Sequence, residues 1–282
     1  MYKSILFCTD GSPAAEVAGE YAIWFAGKLR ARLRALYITD ARLLEGPWMA
    51  DLSGALGAQP YAAFVPQLVR IQAEKAATIL AAVTKRCQDA GVACETAHET
   101  GSLVQIMLDY ESRADMVVLG QRGEHAAWTS GMLGSGVERM VRASVKPCLV
   151  TPEKFCQIQH LLIAYDGSAE SSKALRAGIA LAPVLGAKVT ITSVSALGGE
   201  DAESEILRKA KQQALEGGID PRLELLHGDP EAEILQVRET VGADLIVMGA
   251  YGHTRIRELI LGSTTSHVLR KASVPVLLVR GK

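Results

Sequence analysis

Between Ala243 and Leu269 the chain carries residue types suited to holding a phosphate. A short apolar run, Leu245 to Met248, ends at Gly249, and Gly252 stands three positions further on. Nine residues then separate Gly252 from Gly262, and Ser263, Thr264 and Thr265 follow directly. Glycines at the end of a strand let the backbone pass close to a ligand, because no Cβ intervenes. Small hydroxyl residues at a helix start add donors to the free backbone N–H groups and to the positive end of the helix dipole. The same residues also fit a plainer role as turn glycines and a helix N-cap. The stretch lacks the Gly-Lys-Ser/Thr ending of a P-loop, and its glycine spacing differs from the dinucleotide fingerprint.

A second feature is Asp166-Gly167-Ser168, which closes the apolar run His160 to Tyr165. A carboxylate at the end of a strand either accepts hydrogen bonds from ribose hydroxyls or caps the following helix. The same pattern occurs earlier, where Lys3 to Thr9 ends at Asp10-Gly11-Ser12, a spacing of 156 residues. Ala35 to Thr39 falls on Ile191 to Ser195 at that spacing. Further on the spacing drops to 129: His98 falls on His227, Asp115 on Asp244, Gly120 on Gly249 and Gly123 on Gly252. Pro147 falls on Pro275 at 128. The chain is thus two copies of one unit, taken as residues 1–152 and 158–282. The change of spacing gives copy one 27 extra residues, near 40–67. They read as a long apolar loop that either covers a domain edge or acts as a lid or partner-binding element anchored by Trp48 and Tyr61.

Each copy alternates short apolar runs with longer helical patterns. In copy one, strands are expected at Ser4–Thr9, Leu33–Thr39, Ala93–His98, Met116–Gly120 and Pro147–Thr151. Helices are expected at Ala14–Leu29, Val65–Ala90, Leu103–Arg113 and Gly134–Ala143. Such alternation predicts an α/β, doubly wound domain, a five-stranded parallel sheet with helices on both faces. Ligands of such sheets sit beyond the carboxyl ends of the strands, where the strand order reverses.

The spacing of Gly249, Gly252, Gly262 and Ser263 resembles the ATP-binding motif of the universal stress protein family, in its tandem form. The resemblance implies a Rossmann-like, adenine nucleotide alpha hydrolase-like fold. It also implies ATP as a ligand, with Mg2+ as a candidate companion ion. It places Val194 and Ala164 beside the adenine and Asp166 at the ribose. Gly249 and Gly252 then approach the ribose and phosphates, and Gly262, Ser263, Thr264 and Thr265 cradle the phosphates. His253 and Arg255, in the intervening loop, either reach the phosphate tail or stay solvated. Single-domain members of the family dimerise through their last strands. Lys146–Thr151 and Val274–Arg280 would then meet inside one chain, an intramolecular pseudo-dimer, with a homodimer as an open alternative.

Copy one offers a weaker second site: Asp10, Ile38, Gly120, Gly123, Gly134, Ser135 and Gly136. Ten residues, not nine, separate Gly123 from Gly134, and the paired threonines are missing. Glu138 sets a negative charge where a phosphate would lie, with Arg122 as partial compensation.

Composition excludes other classes. The 282 residues carry a net charge of −1, so nothing marks the chain for nucleic acid or an anionic membrane. No apolar run is long enough to span a bilayer and the N-terminus does not read as a signal peptide, which points to the cytoplasm. Five cysteines without a Cys-x-x-Cys pattern are expected to be free thiols. His98 and His227 at strand ends suit structural hydrogen bonds better than a metal, and no catalytic constellation stands out. The leading function is nucleotide binding in stress response or signalling, read out through the bound state. The alternatives are a slow ATPase and a non-nucleotide scaffold using the inserted segment.

Overall fold

The computed structural model describes residues 2–41, 58–123, 133–195, 200–250 and 261–280, with side chains described except at 58–65 and 200–203. Copy one runs β1 (Ser4–Thr9), α1 (Pro13–Leu29), β2 (Arg32–Asp40), α2 (Ala58–Asp89), β3 (Cys94–Gly101), α3 (Leu103–Glu111), β4 (Met116–Gly120), α4 (Ser135–Ala143) and β5 (Cys148–Thr151). Copy two runs β6 (His160–Ala164), α5 (Ala169–Leu185), β7 (Lys188–Ser195), α6 (Glu200–Glu216), β8 (Arg222–His227), α7 (Pro230–Val241), β9 (Leu245–Gly249), α8 (Ser263–Lys271) and β10 (Val276–Val279).

Local chemistry explains the helix ends. Ser12 accepts a hydrogen bond from the Ala15 N–H at 3.2 Å and Pro13 opens α1, a pre-set φ at a position that needs no donor. Ser168 caps α5 in the same way through Ser171 at 3.1 Å, and Asp229 caps α7 through Glu231 at 3.2 Å. Gly186 and Gly242 end α5 and α7 in the left-handed region, at φ 67° and 68°.

The strands form one ten-stranded sheet in the order β3-β2-β1-β4-β5-β10-β9-β6-β7-β8. Each half is a parallel five-stranded doubly wound sheet, as the alternation predicts. The halves fuse where β5 meets β10 antiparallel, with Val150 opposite Val276, Leu149 opposite Leu277 and Cys148 opposite Leu278. These strands, CLVT and VLLV, are buried throughout, and fusing them removes two sticky sheet edges. Arg280 reinforces the seam by donating to the carbonyls of Arg142 and Ser144, and the Gln121 amide donates to the Leu269 carbonyl.

Helices cover both faces. Tyr21 and Phe25 of α1, Leu80 and Val83 of α2, Leu175 of α5 and Leu207 of α6 share one core. Met107 of α3, Val137 of α4, Ile234 of α7 and Val268 of α8 share the other. Each large side chain buried here contributes roughly 1.5–3 kcal/mol. The connecting segment between the copies is held to α1: the Tyr21 hydroxyl donates to the Lys154 carbonyl at 3.3 Å and accepts from the Cys156 N–H at 2.9 Å.

Three expectations need correction. The inserted segment is not all loop, because α2 begins at Ala58 and carries Gln59, Pro60 and Tyr61 in its first turn; Trp48 lies outside the described residues. His98 and His227 are not equivalent: His98 stands opposite Tyr37, whereas His227 stands opposite Ser195, the counterpart of Thr39. The true counterparts are Gly101 and Gly228, both with positive φ (156° and 140°) just before a helix. Thr39 and Gly101 are 62 positions apart and Ser195 and Gly228 are 33 apart, so copy one carries 29 extra residues there, not 27. Copy two regains two of them between Gly228 and Asp244.

Candidate nucleotide site

The strand order reverses between β6 and its two neighbours, β7 and β9, so the carboxyl ends of these strands open a crevice. Ala164 ends β6, Val194 lies one residue before the end of β7, and Gly249 ends β9. Ala164 and Val194 are half-buried and pack beside the core under α7 and α8. Asp166 follows β6 and is exposed. Its Oδ1 accepts the Ser168 N–H at 3.0 Å, so this carboxylate does brace the turn into α5.

Gly262 is the N-cap of α8, and no side chain there caps the helix. The first helical bond runs from the Ser266 N–H to the Gly262 carbonyl at 2.9 Å, which leaves the N–H groups of Ser263, Thr264 and Thr265 without helical partners. Among the described residues, a Cβ built on Gly262 would meet the Thr265 hydroxyl oxygen, at 3.9 Å. Ser263 is exposed, Thr264 half-buried and Thr265 buried, so the first two hydroxyls are the accessible ones. No acidic residue stands in the first turn, and Arg270 and Lys271 stand in the last, the distribution that suits the helix dipole. Such a terminus can take a phosphate. Gly252, His253 and Arg255 lie outside the described residues.

Gly249 has a second reason to be glycine. A Cβ there would lie 2.8 Å from the backbone of Glu170 and Ser171, at the start of α5. Gly120 repeats this in copy one, with the Ala14 carbonyl oxygen at 2.9 Å. In both copies the glycine lets the helix after the first strand settle on the fourth.

Copy one assembles its own version of these parts. Asp10, Ile38, Gly120, Gly123, Gly134, Ser135 and Gly136 gather at the ends of β1, β2 and β4 and the start of α4. Here a Cβ on Gly134 would meet the Gly123 nitrogen at 3.3 Å, and one on Gly123 would meet an Asp10 carboxylate oxygen at 3.0 Å. A Cβ on Gly136 would press on Leu103 at 3.1 Å. These contacts close the copy-one loops on one another. The charges also differ from expectation. Glu138 is paired with Arg142 one turn along α4, so its charge is partly neutralised, and Arg122 is engaged with Glu153 at 2.7 Å.

Two hydroxyls escaped the sequence reading. Thr192 Oγ1 and Ser195 Oγ, on β7 around Val194, are buried without a hydrogen-bond partner among the described residues. The signal was present in the run Thr190-Ile191-Thr192-Ser193, unusually polar for an interior strand. In copy one the position of Ser195 is Thr39, whose hydroxyl bonds His98 Nε2 at 3.0 Å.

A family model described as the universal stress protein family matches residues 1–152 and again 157–280. The chain belongs to the universal stress protein family. A universal stress protein of Synechocystis is 38% identical over 288 residues, spanning 99% of this chain and all of that one. A relative from Methanocaldococcus jannaschii, also named a universal stress protein, is 34% identical over 137 residues, covering 43% of this chain and 81% of its own. The crystal structure of a universal stress protein from Archaeoglobus fulgidus superposes with a TM-score of 0.76 at 23% identity, over 99% of this chain and 98% of the other, a likeness of fold. Among the described residues, no helix of this universal stress protein is long and apolar enough to cross a membrane, and no three ligating side chains group as a metal site would need.

Proposed function

We propose that this tandem universal stress protein binds ATP in copy two, and that copy one binds it weakly or not at all. The observation that carries the reading is the uncapped start of α8 at Gly262, where the N–H groups of Ser263, Thr264 and Thr265 lack helical partners, at the sheet end where Asp166 follows β6 and Val194 nears the end of β7. The phosphates lie on the N–H groups and hydroxyls of Ser263 and Thr264, the ribose at Asp166, and the base against Ala164 and Val194. Any Mg2+ arrives with the phosphates, since no carboxylate cluster stands among the described residues. Among the described residues no general base is tied to the cradle, and we read the bound state as the output in a cytoplasmic stress or signalling role. The two copies act as an intramolecular pseudo-dimer across β5 and β10.

Releasing the contents of freshly purified protein by denaturation and identifying them by mass spectrometry tests the ligand class. An adenine nucleotide supports the reading. A non-nucleotide ligand held in its place contradicts it and favours the scaffold alternative built on the inserted segment.

A further inference from the structure

Each copy holds the carboxyl end of the other's cradle helix, α4 or α8. Gln121 follows β4 in copy one and is buried. Its backbone is fixed on both sides: its N–H donates to the Thr151 carbonyl at 2.9 Å, and its carbonyl accepts from the Gly134 N–H at 3.2 Å. Its side-chain amide crosses the seam and donates to the carbonyl of Leu269, in the last turn of α8. In the opposite direction Arg280, just past β10, donates to the carbonyls of Arg142 and Ser144 at the end of α4.

Neither hold follows from the repeat. Gln121 falls on Ala250, which has no side-chain donor, and Arg280 falls on Pro152. Different residues at unrelated positions therefore serve the two helix ends. The last carbonyls of a helix have no partner within it. In α8 the Ala272 N–H takes the Val268 carbonyl at 2.8 Å, and the next carbonyl is that of Leu269, a residue only 1% exposed. Without Gln121 this buried acceptor would lose its partner, and the helix end would have to shift to find another. The other polar tie of α8 lies within copy two, where His267 Nδ1 stands 3.3 Å from a carboxylate oxygen of Glu231 on α7. Gln121 is the tie that comes from copy one. At nine residues, α8 is roughly 13 Å long. A helix this short moves as one rod, so a shift at Leu269 is carried to the N–H groups at Ser263 and Thr264.

We propose that Gln121 is a positioning residue for phosphate binding in copy two, setting the place of α8 and hence the aim of its N-terminal N–H groups. On the nucleotide reading of that site, Gln121 acts through the backbone of α8 and not by contact with the ligand. Copy one, the weaker binder, thereby gains a role that needs no ligand of its own.

Displacement of a fluorescent ATP analogue by ATP and by adenosine tests this on the full-length wild type, Gln121→Ala and Gln121→Met. The methionine keeps most of the side-chain volume but has no donor. Both variants should bind ATP about tenfold more weakly, within the usual range of coupling between distant sites. Adenosine lacks the phosphates that reach the cradle, so it should compete equally in all three proteins. Urea midpoints on the same samples show that the variants are folded where binding is measured. A purely structural support would lower the midpoint and leave the ATP affinity of the folded protein unchanged, and that result would overturn the role of Gln121 alone. ATP and adenosine weakened by the same factor would do so too. A wild type that binds no ATP would instead overturn the nucleotide reading and this role with it.

Discussion

At the scale of single residues, the motif glycines separate into two kinds. Gly249 is confined by the backbone of α5, whereas Gly262, among the described residues, meets nothing nearer than the Thr265 hydroxyl at 3.9 Å. Gly249→Val should therefore destabilise the fold by about 1–3 kcal/mol, the usual cost of overpacking. Gly262→Val should unfold like the wild type and lose the ligand. Urea midpoints on both variants check this, and equal midpoints for wild type and Gly249→Val would remove the packing role. His160 offers a second residue-level test. Its Nε2 bonds the Thr190 hydroxyl at 2.8 Å, and desolvation lowers its pKa below the ordinary 6.5, although the Val241 backbone and Asp244 pull the other way. The unfolded chain then takes up this proton before the folded one does. The contribution of neutral His160 is present above about pH 6.5 and is lost as the pH falls through the lower folded value. Melting temperature should drop less between about pH 7 and about pH 5 in His160→Gln than in the wild type. Identical pH profiles would show that His160 is not responsible.

At the scale of elements, legibility followed the strength of local signals. β1, β4, β6 and β9 could be read because each is an apolar run closed by glycine or by Asp-Gly-Ser. The helices beginning at Ser12-Pro13 and Asp229-Pro230 announced themselves through their caps. The start of α2 did not, since Pro60 and Pro66 within ten residues imitate a loop, yet a proline is tolerated in a first turn and tertiary context carries the helix past the second. The edge strand β3, CETAHETG, has no apolar alternation to fix its register. A chance match of two histidines therefore misaligned it, and only the pairing with β2 and the positive φ of Gly101 correct it. The cradle was readable as spacing, but the closure of Gly123 on Asp10 and the Arg142 partner of Glu138 are products of folding that no spacing reveals. Capping can be tested directly: Ser168→Ala should cost about 1 kcal/mol in urea unfolding by leaving the Ser171 N–H uncapped. No change would mean that Asp166 and the turn hold the helix start unaided.

At the scale of the whole molecule, the seam between β5 and β10 makes one sheet of two copies, and the difference between the copies becomes a property of one body. Leu149 and Leu277 face each other there, both fully buried. Leu277→Ala should cost about 2–5 kcal/mol and shift a single unfolding transition, seen alike by circular dichroism and by the tryptophan fluorescence of copy one. A shift confined to one of two separate transitions would show that the halves fold independently. The central claim is the inequality of the two sites. The accessible hydroxyl of Thr264 belongs to copy two, where copy one has Gly136, and one lost hydrogen bond to a charged phosphate costs about 1.5–3 kcal/mol, roughly ten- to a hundredfold in affinity. Titration calorimetry with ATP on the wild type, Gly262→Val and Gly134→Val measures this most directly. The account predicts one tight equivalent per chain in the wild type and in Gly134→Val, and none in Gly262→Val. Two equal sites in the wild type, or tight binding that survives Gly262→Val and disappears in Gly134→Val, would contradict it.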